Sequence, residues 1–188
     1  MRVPSLISEI ENLMAISPER KFTPVRIAAL TVSDTRTAAT DRSGDVLVQR
    51  IAEAGHTLAA RELLRDDADA IESLLQRWIA DASIDVVIST GGTGITGRDV
   101  TPEAFHRVLE KQIEGFSELF RMISFQKIGP SAILSRAVAG VAAGTYLFAL
   151  PGSPGAVVDA WDELLLPLLD SRNTPCNLVD LMPRLRER

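Results

Sequence analysis

The chain has 188 residues, of which 46% are hydrophobic and 24% charged, a composition typical of one globular domain that excludes a largely disordered chain. The net charge of −5 argues against a general nucleic-acid-binding protein, because that function usually needs a basic surface. A single cysteine, Cys176, excludes an internal disulfide and a metal site made of clustered cysteines.

Residues 1–22 are set apart from the rest, and we expect an N-terminal helical extension with one apolar face formed by Leu6, Ile10, Leu13 and Met14. This segment carries acidic residues where a signal peptide would have an uninterrupted apolar stretch. No apolar run in the chain approaches the roughly 18 residues of a membrane span. We therefore expect a cytoplasmic protein without a membrane partner.

Residues 23–188 alternate between strand-like and helix-like periodicity, which predicts a single α/β domain with a C-terminal tail. Nearly continuous apolar runs at residues 25–33 and 84–90 are typical of parallel strands covered on both faces. Residues 57–64 predict a weaker strand. The expected architecture has three layers, with a mostly parallel sheet flanked by helices.

The first helices are predicted from capping residues and apolar spacing. Ser43 is expected to cap a helix that ends at Gly55. Thr101 and Pro102 fit the N-cap and N1 positions of another helix, which runs to about Leu109. Between them lies the clearest helix of the chain, whose core-facing positions are Ile71, Leu74, Leu75, Trp78, Ile79 and Ala82.

Three further elements follow in the second half of the chain. Residues 115–125 have helical spacing, and the runs AVAGVA and TYLFAL, separated by Ala143-Gly144, predict a hairpin. Ser153 and Pro154 fit the N-cap and N1 positions of a final long helix. Pro167 falls inside that helix, so its last turn is expected to be distorted or ended.

Polar or glycine-rich turns follow the predicted strands that end at Ser33, Thr90 and Leu150, namely SDTRTAATDRSG, GGTGITGRD and PGSPG. In an open α/β sheet, ligands bind at the carboxyl ends of the strands where the strand order reverses. Three such turns at one edge would surround a pocket. The alternative interpretation is that each turn is only a tight connection.

The turn after Thr90 joins a strand to a helix N-terminus, a junction whose backbone N–H groups and dipole favour an anion. It contains no lysine, which excludes a P-loop of the GxxxxGK[ST] type. Asp99 places a carboxylate beside the expected anion, as a magnesium–nucleotide site requires. The alternative role for Asp99 is a helix-terminal acid that interacts with the dipole.

Asp66 and Asp67 directly follow the second predicted strand, so we expect them at the same sheet edge as Asp99. One of the two is expected to be only a helix cap. A carboxylate from each of two loops could then hold Mg²⁺ between nucleotide phosphates. Positive charge near an anionic ligand would come from four candidate arginines, each of which could instead be a solvated surface residue: Arg36, Arg98, Arg121 and Arg136.

Three separated motifs, STGGTGITGRDVTPEA, FRMISFQKIGPSAILSRAVAGV and LPGSPGA, resemble the MoaB/Mog family of molybdenum cofactor biosynthesis proteins. The run SRNTPCN is similar to the MoaB branch in particular. The resemblance covers roughly residues 22–180. It implies a molybdopterin-binding α/β domain that assembles as a homotrimer or as a dimer of trimers. It further implies that the product is handed over to a molybdenum-insertion protein.

The resemblance also implies an activity, because active members of this family transfer AMP from Mg-ATP to the terminal phosphate of molybdopterin. ATP and molybdopterin would be the substrates and Mg²⁺ the cofactor. Asp99 matches the family's magnesium-binding catalytic aspartate, and Asp66 matches the second one, although Asp67 leaves that register open by one residue. Some MoaB proteins carry other residues at this second position and are thought to be inactive, so Asp66 favours an adenylyltransferase over the alternative, a non-catalytic carrier or scaffold.

The remaining site residues follow from the same resemblance. Residues that match the segments around nucleotide and pterin phosphate are Ser33, Asp34, Thr90, Gly91, Gly92, Thr93 and Gly94. Residues that match the glycine turn on the pterin side of the pocket are Pro151, Gly152 and Ser153. Residues 116–136 combine apolar side chains with arginines and are predicted to form either the subunit interface or a buried core face.

Overall fold

The computed structural model describes residues 16–187, and its centre is a six-stranded sheet. The strands are β1 (Arg26–Val32), β2 (Thr57–Leu64), β3 (Val86–Thr90), β4 (Lys111–Gln112), β5 (Val138–Ala142) and β6 (Thr145–Leu150). Their order is β2-β1-β3-β6-β5-β4. β2, β1, β3 and β6 are parallel neighbours, whereas β5 pairs antiparallel with both β6 and β4. The sheet is therefore mixed, and the predicted α/β fold is confirmed.

Helices cover both faces of this sheet. They are α1 (Arg42–Glu53), α2 (Ala68–Ala80), α3 (Thr101–Val108), α4 (Glu114–Ile128), α5 (Pro154–Ala160), α6 (Leu166–Leu169) and α7 (Leu178–Leu181). A 3₁₀ segment, Gly129–Leu134, follows α4, and another, Met182–Arg184, follows α7. One apolar cluster contains side chains of α1, α4 and α5, and a second contains side chains of α2 and α3. The domain thus has the three expected layers.

The alternation of side chains in β1 explains why five of the six residues from Ile27 to Val32 are apolar. Ile27 and Ala29 belong to the cluster beneath α1 and α4, whereas Ala28 and Leu30 belong to the cluster beneath α2 and α3. Because successive side chains of a strand point to opposite faces, a central strand covered on both faces needs an apolar residue at every position.

Two of the predicted helix caps are wrong in detail. The N-cap of α1 is Asp41, whose Oδ1 accepts a hydrogen bond from the Gly44 N–H at 3.0 Å, while Ser43 is buried inside the first turn. Thr101 is the first residue of α3 and not its cap, since the N-cap is Val100 and the buried Oγ1 of Thr101 forms no hydrogen bond within residues 16–187. The predicted cap of α5 is confirmed, since Ser153 Oγ accepts from the Ala156 N–H at 3.1 Å.

The final long helix is irregular. Between α5 and α6 the chain forms a π-helical turn, Trp161–Leu165, and Pro167 lies in the last turn, which ends at Leu169. The turn places Trp161 and Leu165 in the core, where both are fully buried. The predicted distortion is thus present, and it begins before the proline.

The predicted N-terminal helix falls largely outside the described residues, since residues 1–15 are not among them. Residues 16–22 contain a bridge and a turn and are not helical. Ile16 bridges to Asn173, and the Ser17 N–H donates to the carbonyl of Arg172 at 2.9 Å, so the segment packs on the C-terminal part of the domain. No helix within residues 16–187 is long and apolar enough to cross a membrane.

Candidate active site

A cavity of about 650 Å³ opens at the carboxyl ends of β1, β3 and β6, where the three polar turns meet. From β1 the chain first adds β2 on one side and then β3 on the other, so the order of the strands reverses between β1 and β3. Ligands of open α/β sheets bind at such a position. The volume lies in the range of small-molecule sites. Ten predicted site residues line the cavity: Ser33, Asp66, Gly91, Gly92, Thr93, Gly94, Asp99, Pro151, Gly152 and Ser153.

Two other predicted site residues, Thr90 and Asp34, do not line the cavity. Thr90 is fully buried, and its Oγ1 donates to the carbonyl of Pro151 at 2.9 Å, which ties the second glycine turn to β3. Asp34 forms a two-point ion pair with Arg98, in which Nε donates to Oδ2 at 2.8 Å and Nη2 to Oδ1 at 2.7 Å. The hydrogen bonds from Arg98 hold the pKa of Asp34 below its ordinary value.

Close backbone approach explains the glycines that follow β3. A Cβ atom on Gly91 would lie 2.0 Å from the carbonyl oxygen of Val32, and one on Gly92 would lie 2.6 Å from Oδ1 of Asp66. Both glycines have positive φ angles, 106° and 63°, which other residues rarely adopt. Glycine therefore lets this loop pack against β1 and against the Asp66 carboxylate.

The loop offers fewer backbone donors than its sequence suggests. The Gly91 N–H donates to the carbonyl of Leu150 at 3.0 Å, and that of Gly94 is bound by the carboxylate of Asp99. The N–H groups of Gly92 and Thr93 form no hydrogen bond within residues 16–187. These two groups are thus the ones that a ligand could use.

Asp66 and Asp67 have different roles in the structure. Asp67 is the N-cap of α2, and its Oδ1 accepts from the N–H groups of Asp69 and Ala70, both at 3.0 Å. Asp66 lines the cavity. Burial raises the pKa of Asp66, and the nearby carboxylates of Asp34 and Asp99 raise it further. Of the two aspartates, Asp67 is therefore the helix cap and Asp66 is the one that lines the cavity.

Asp99 is held in its ionised form by the loop that carries it. Its Oδ2 accepts from the Thr96 N–H at 2.9 Å and from Thr96 Oγ1 at 2.5 Å. Burial alone would raise the pKa of Asp99, but these hydrogen bonds and one from the Gly94 N–H bring it below its ordinary value. Asp66 and Asp99 together give one side of the cavity a negative charge.

The acidic pair fits Mg²⁺ better than a metal enclosed by protein ligands. Among residues 16–187, no three His, Cys, Asp or Glu side chains are grouped so as to hold a metal ion. Mg²⁺ is usually bound by one or two carboxylates, with water and substrate phosphates as the other ligands. Asp66, whose pKa is raised by burial and by neighbouring carboxylates, is a group that a cation would stabilise in its charged form.

Of the four candidate arginines, Arg36 is the one that lines this cavity. Its Nη2 donates to the carbonyl of Gly152 at 2.7 Å, and its Nη1 donates to Ser43 Oγ. Arg136 lies behind the glycine loop, where Nε donates to the Gly94 carbonyl at 2.7 Å and Nη2 to that of Asp99 at 2.8 Å. It therefore supports the loop from outside. Arg121 lies on α4, at the wall of a different cavity.

Comparison with known proteins identifies the family and confirms the fold. Residues 28–171 match the family described as "Probable molybdopterin binding domain". The chain belongs to this family. It is 45% identical over 157 residues to molybdenum cofactor biosynthesis protein B of Escherichia coli K12, covering 84% of this chain and 92% of that one. The corresponding protein of Bacillus anthracis is 46% identical over 159 residues, with 83% and 94% covered.

A solved structure of a molybdenum cofactor biosynthesis protein B superimposes with a TM-score of 0.80 at 41% identity, covering 90% of this chain and all of that one. The resemblance seen in the three sequence motifs is thereby confirmed. As a member of the molybdopterin-binding domain family, the chain has a role in molybdenum cofactor biosynthesis.

One segment that lines the cavity of this molybdopterin-binding domain was not predicted from the sequence to do so. Leu134 and Ser135 reach the cavity from the end of the 3₁₀ segment after α4. The Oγ of Ser135 is buried and has no hydrogen-bond partner within residues 16–187. The position of this segment depends on the packing of α4 against β5, a long-range contact for which the sequence carries no local signal.

Proposed function

We propose that the protein is a molybdopterin adenylyltransferase, which transfers AMP from Mg-ATP to the terminal phosphate of molybdopterin and releases pyrophosphate. The observation that supports this most is the position of two carboxylates on one cavity. Asp66 and Asp99 come from different loops and both line it, while Asp67 is used as a helix cap. A cavity built only to bind an anionic pterin would gain nothing from two carboxylates, because they repel phosphate.

The reaction is an in-line displacement. An oxygen of the molybdopterin phosphate attacks the α-phosphorus of ATP and forms a new P–O bond. The bond from the α-phosphorus to the oxygen that bridges to the β-phosphate breaks, and its electron pair leaves with pyrophosphate. Since the attacking phosphate oxygen is already ionised at neutral pH, no general base is needed. The site must instead position two polyanions and neutralise the charge on the leaving pyrophosphate.

The cavity residues can meet these requirements. Asp66 and Asp99 are the groups that would hold Mg²⁺, which when bound supplies positive charge against the departing phosphates. The free N–H groups of Gly92 and Thr93 can donate to a phosphate oxygen. Arg36 adds a fixed positive charge at the cavity wall. None of these roles requires a histidine or a lysine.

The direct test is an anaerobic incubation of the purified protein with molybdopterin, Mg²⁺ and ATP labelled at the α-phosphate. We expect pyrophosphate and a labelled pterin–AMP adduct in equal amounts, and the loss of both with Asp99→Ala. If the protein binds molybdopterin but releases no pyrophosphate, it is instead a carrier of the pterin, and the adenylyltransferase proposal is wrong.

We also propose that the outer face of α4 is a subunit interface of a homotrimer or homohexamer. Phe116 and Phe120 of this helix are buried in the core, so the predicted core face is present. The opposite face leaves large apolar side chains more than half exposed, which is unusual for a free surface. They are Leu119, Met122, Phe125 and Ile128, together with Ile133 of the following 3₁₀ segment. Light scattering would measure the assembly, and a monomer would contradict this proposal.

A further inference from the structure

The charges of the cavity are unevenly distributed. Asp66 and Asp99 line one part of the cavity, where the Asp66 carboxylate lies against Gly92 in the loop after β3. Arg36 lines another part, where it is bonded to Gly152 in the turn after β6. The cavity thus has an acidic side at Asp66 and Asp99 and a basic side at the turn after β6.

The guanidinium of Arg36 is fixed in place and still has donors to offer. Ser43 Oγ and the Gly152 carbonyl accept two of its five N–H groups, and the other three form no hydrogen bond within residues 16–187. The side chain is 27% exposed, which leaves it accessible from the cavity. A planar guanidinium with free donors can bind a phosphate through two parallel hydrogen bonds.

The positive charge of Arg36 is not cancelled by its acidic neighbour. Asp41 lies 3.8 Å from Arg36 Nη1, but its Oδ2 also accepts from Arg61 Nη2 at 3.0 Å and from Thr31 Oγ1 at 2.7 Å. Burial would raise the pKa of Asp41, and the hydrogen bonds from Thr31, Gly44 and Arg61 bring it below its ordinary value. Asp41 therefore shares its charge between two arginines and helps to orient Arg36.

We propose that Arg36 binds the terminal phosphate of the acceptor pterin on the β6 side of the cavity and so positions the attacking oxygen, an inference that rests on the function proposed above. The acceptor phosphate is a dianion, which the acidic side of the cavity repels. The Mg-nucleotide is the substrate suited to that acidic side. The two substrates thus occupy different parts of the cavity, and Arg36 selects for a phosphate monoester as the acceptor.

Binding of the acceptor alone tests this role without any turnover. Anaerobic equilibrium dialysis, without ATP or Mg²⁺, compares molybdopterin with the same pterin after phosphatase treatment. We expect Arg36→Gln to weaken molybdopterin binding about tenfold to a hundredfold, the usual effect of losing hydrogen bonds to a charged group. Binding of the dephosphorylated pterin should not change. Arg36→Lys should recover part of the preference, and the control Arg77→Gln, on the exposed side of α2, should match the wild type.

Three results would overturn the inference: an unchanged preference for phosphate in Arg36→Gln, an equal loss for both pterins, or weaker binding of a non-hydrolysable Mg-ATP analogue with unchanged molybdopterin binding. If Arg36→Gln does not fold, Arg36→Lys and Ser43→Ala are measured instead. Both should lower the preference for molybdopterin over the dephosphorylated pterin. A wild type that prefers molybdopterin through Arg36 but releases no pyrophosphate would contradict only the adenylyltransferase proposal.

Discussion

The Asp66 carboxylate lies against Gly92 so closely that a Cβ atom at position 92 would be 2.6 Å from its Oδ1. The same Cβ atom would lie 2.4 Å from Oγ1 of Thr101, the first residue of α3. The Thr101 N–H also donates to the carbonyl of Gly92. One glycine therefore fixes the relative positions of the loop after β3, the start of α3 and the Asp66 side chain.

Gly92→Ala is expected to damage both stability and activity. The φ angle of 63° is strained for alanine, and the new methyl group would collide with Oγ1 of Thr101 and Oδ1 of Asp66. We expect the free energy of unfolding in urea to fall by about 1 to 3 kcal/mol, and pyrophosphate release to fall with it as Asp66 is displaced. Gly97→Ala in the same loop is the control, because its Cβ would meet nothing within 4 Å. Equal losses in the two variants would contradict this explanation.

Asp66→Asn and Asp67→Asn separate catalysis from helix capping. Asparagine is a good N-cap, so Asp67→Asn should keep α2 and the activity. Asp66→Asn removes a cavity charge, and we expect pyrophosphate release to fall at least about a hundredfold, as when one electrostatic group of an active site is lost.

Asp66→Asn should be at least as stable as the wild type at neutral pH. The pKa of Asp66 is raised in the folded state by burial and by the carboxylates of Asp34 and Asp99. A carboxyl group with a raised pKa destabilises the fold when it is ionised, so removing its charge relieves that cost. Urea unfolding at pH 7 measures this, and a large loss of stability in Asp66→Asn would show that its role is structural.

The fold could be predicted from the sequence because burial on two faces leaves a local pattern. The runs at residues 25–33 and 84–90 contain continuous apolar stretches, at 27–30 and 86–88, as strands between two helix layers do. The location of the site then followed from topology, since polar turns after parallel strands share one sheet edge. Topology placed Asp99 and the pair Asp66 and Asp67 at this edge, whereas the choice of Asp66 over Asp67 came from the family resemblance.

The local errors have a common physical origin in contacts between distant residues. Asp41 replaces Ser43 as the cap of α1 because its carboxylate is also held by Arg61 on β2, twenty residues later. Thr101 is the first residue of α3, and its N–H is held by the carbonyl of Gly92, nine residues earlier. Such choices depend on how the flanking loop is anchored, which a cap motif does not encode.

Arg98→Gln is expected to loosen the glycine loop without unfolding the domain. Arg98 joins this loop to the loop after β1 through its exposed ion pair with Asp34. Exposed pairs add little to global stability, so the unfolding midpoint should stay unchanged. Hydrogen exchange of the amides of residues 94–99 should become faster, and high salt should have a similar effect on the wild type. Arg107→Gln, which removes exposed pairs with Asp69 and Glu72, should leave that exchange unchanged.

His56 should make the stability of the domain depend on pH in weak acid. It is only 7% exposed, its Nδ1 accepts from the Val25 N–H at 3.2 Å, and its Nε2 is buried without a partner within residues 16–187. Burial lowers its pKa, and the nearby Asp170 only partly opposes this. Below the ordinary histidine pKa of about 6.5, the unfolded chain therefore binds a proton that the folded chain does not.

We expect the urea midpoint of the wild type to fall between pH 7.5 and pH 5.5, since unfolding takes up that proton. His56→Gln should be less stable at pH 7.5, because the packed imidazole is lost, but its midpoint should change less over the same interval. His106→Gln is the matched control because it replaces an exposed histidine. Its urea midpoint should fall over this interval as that of the wild type does. If His56→Gln keeps the full pH dependence, groups other than this histidine take up the proton, and burial of His56 is not what limits stability in acid.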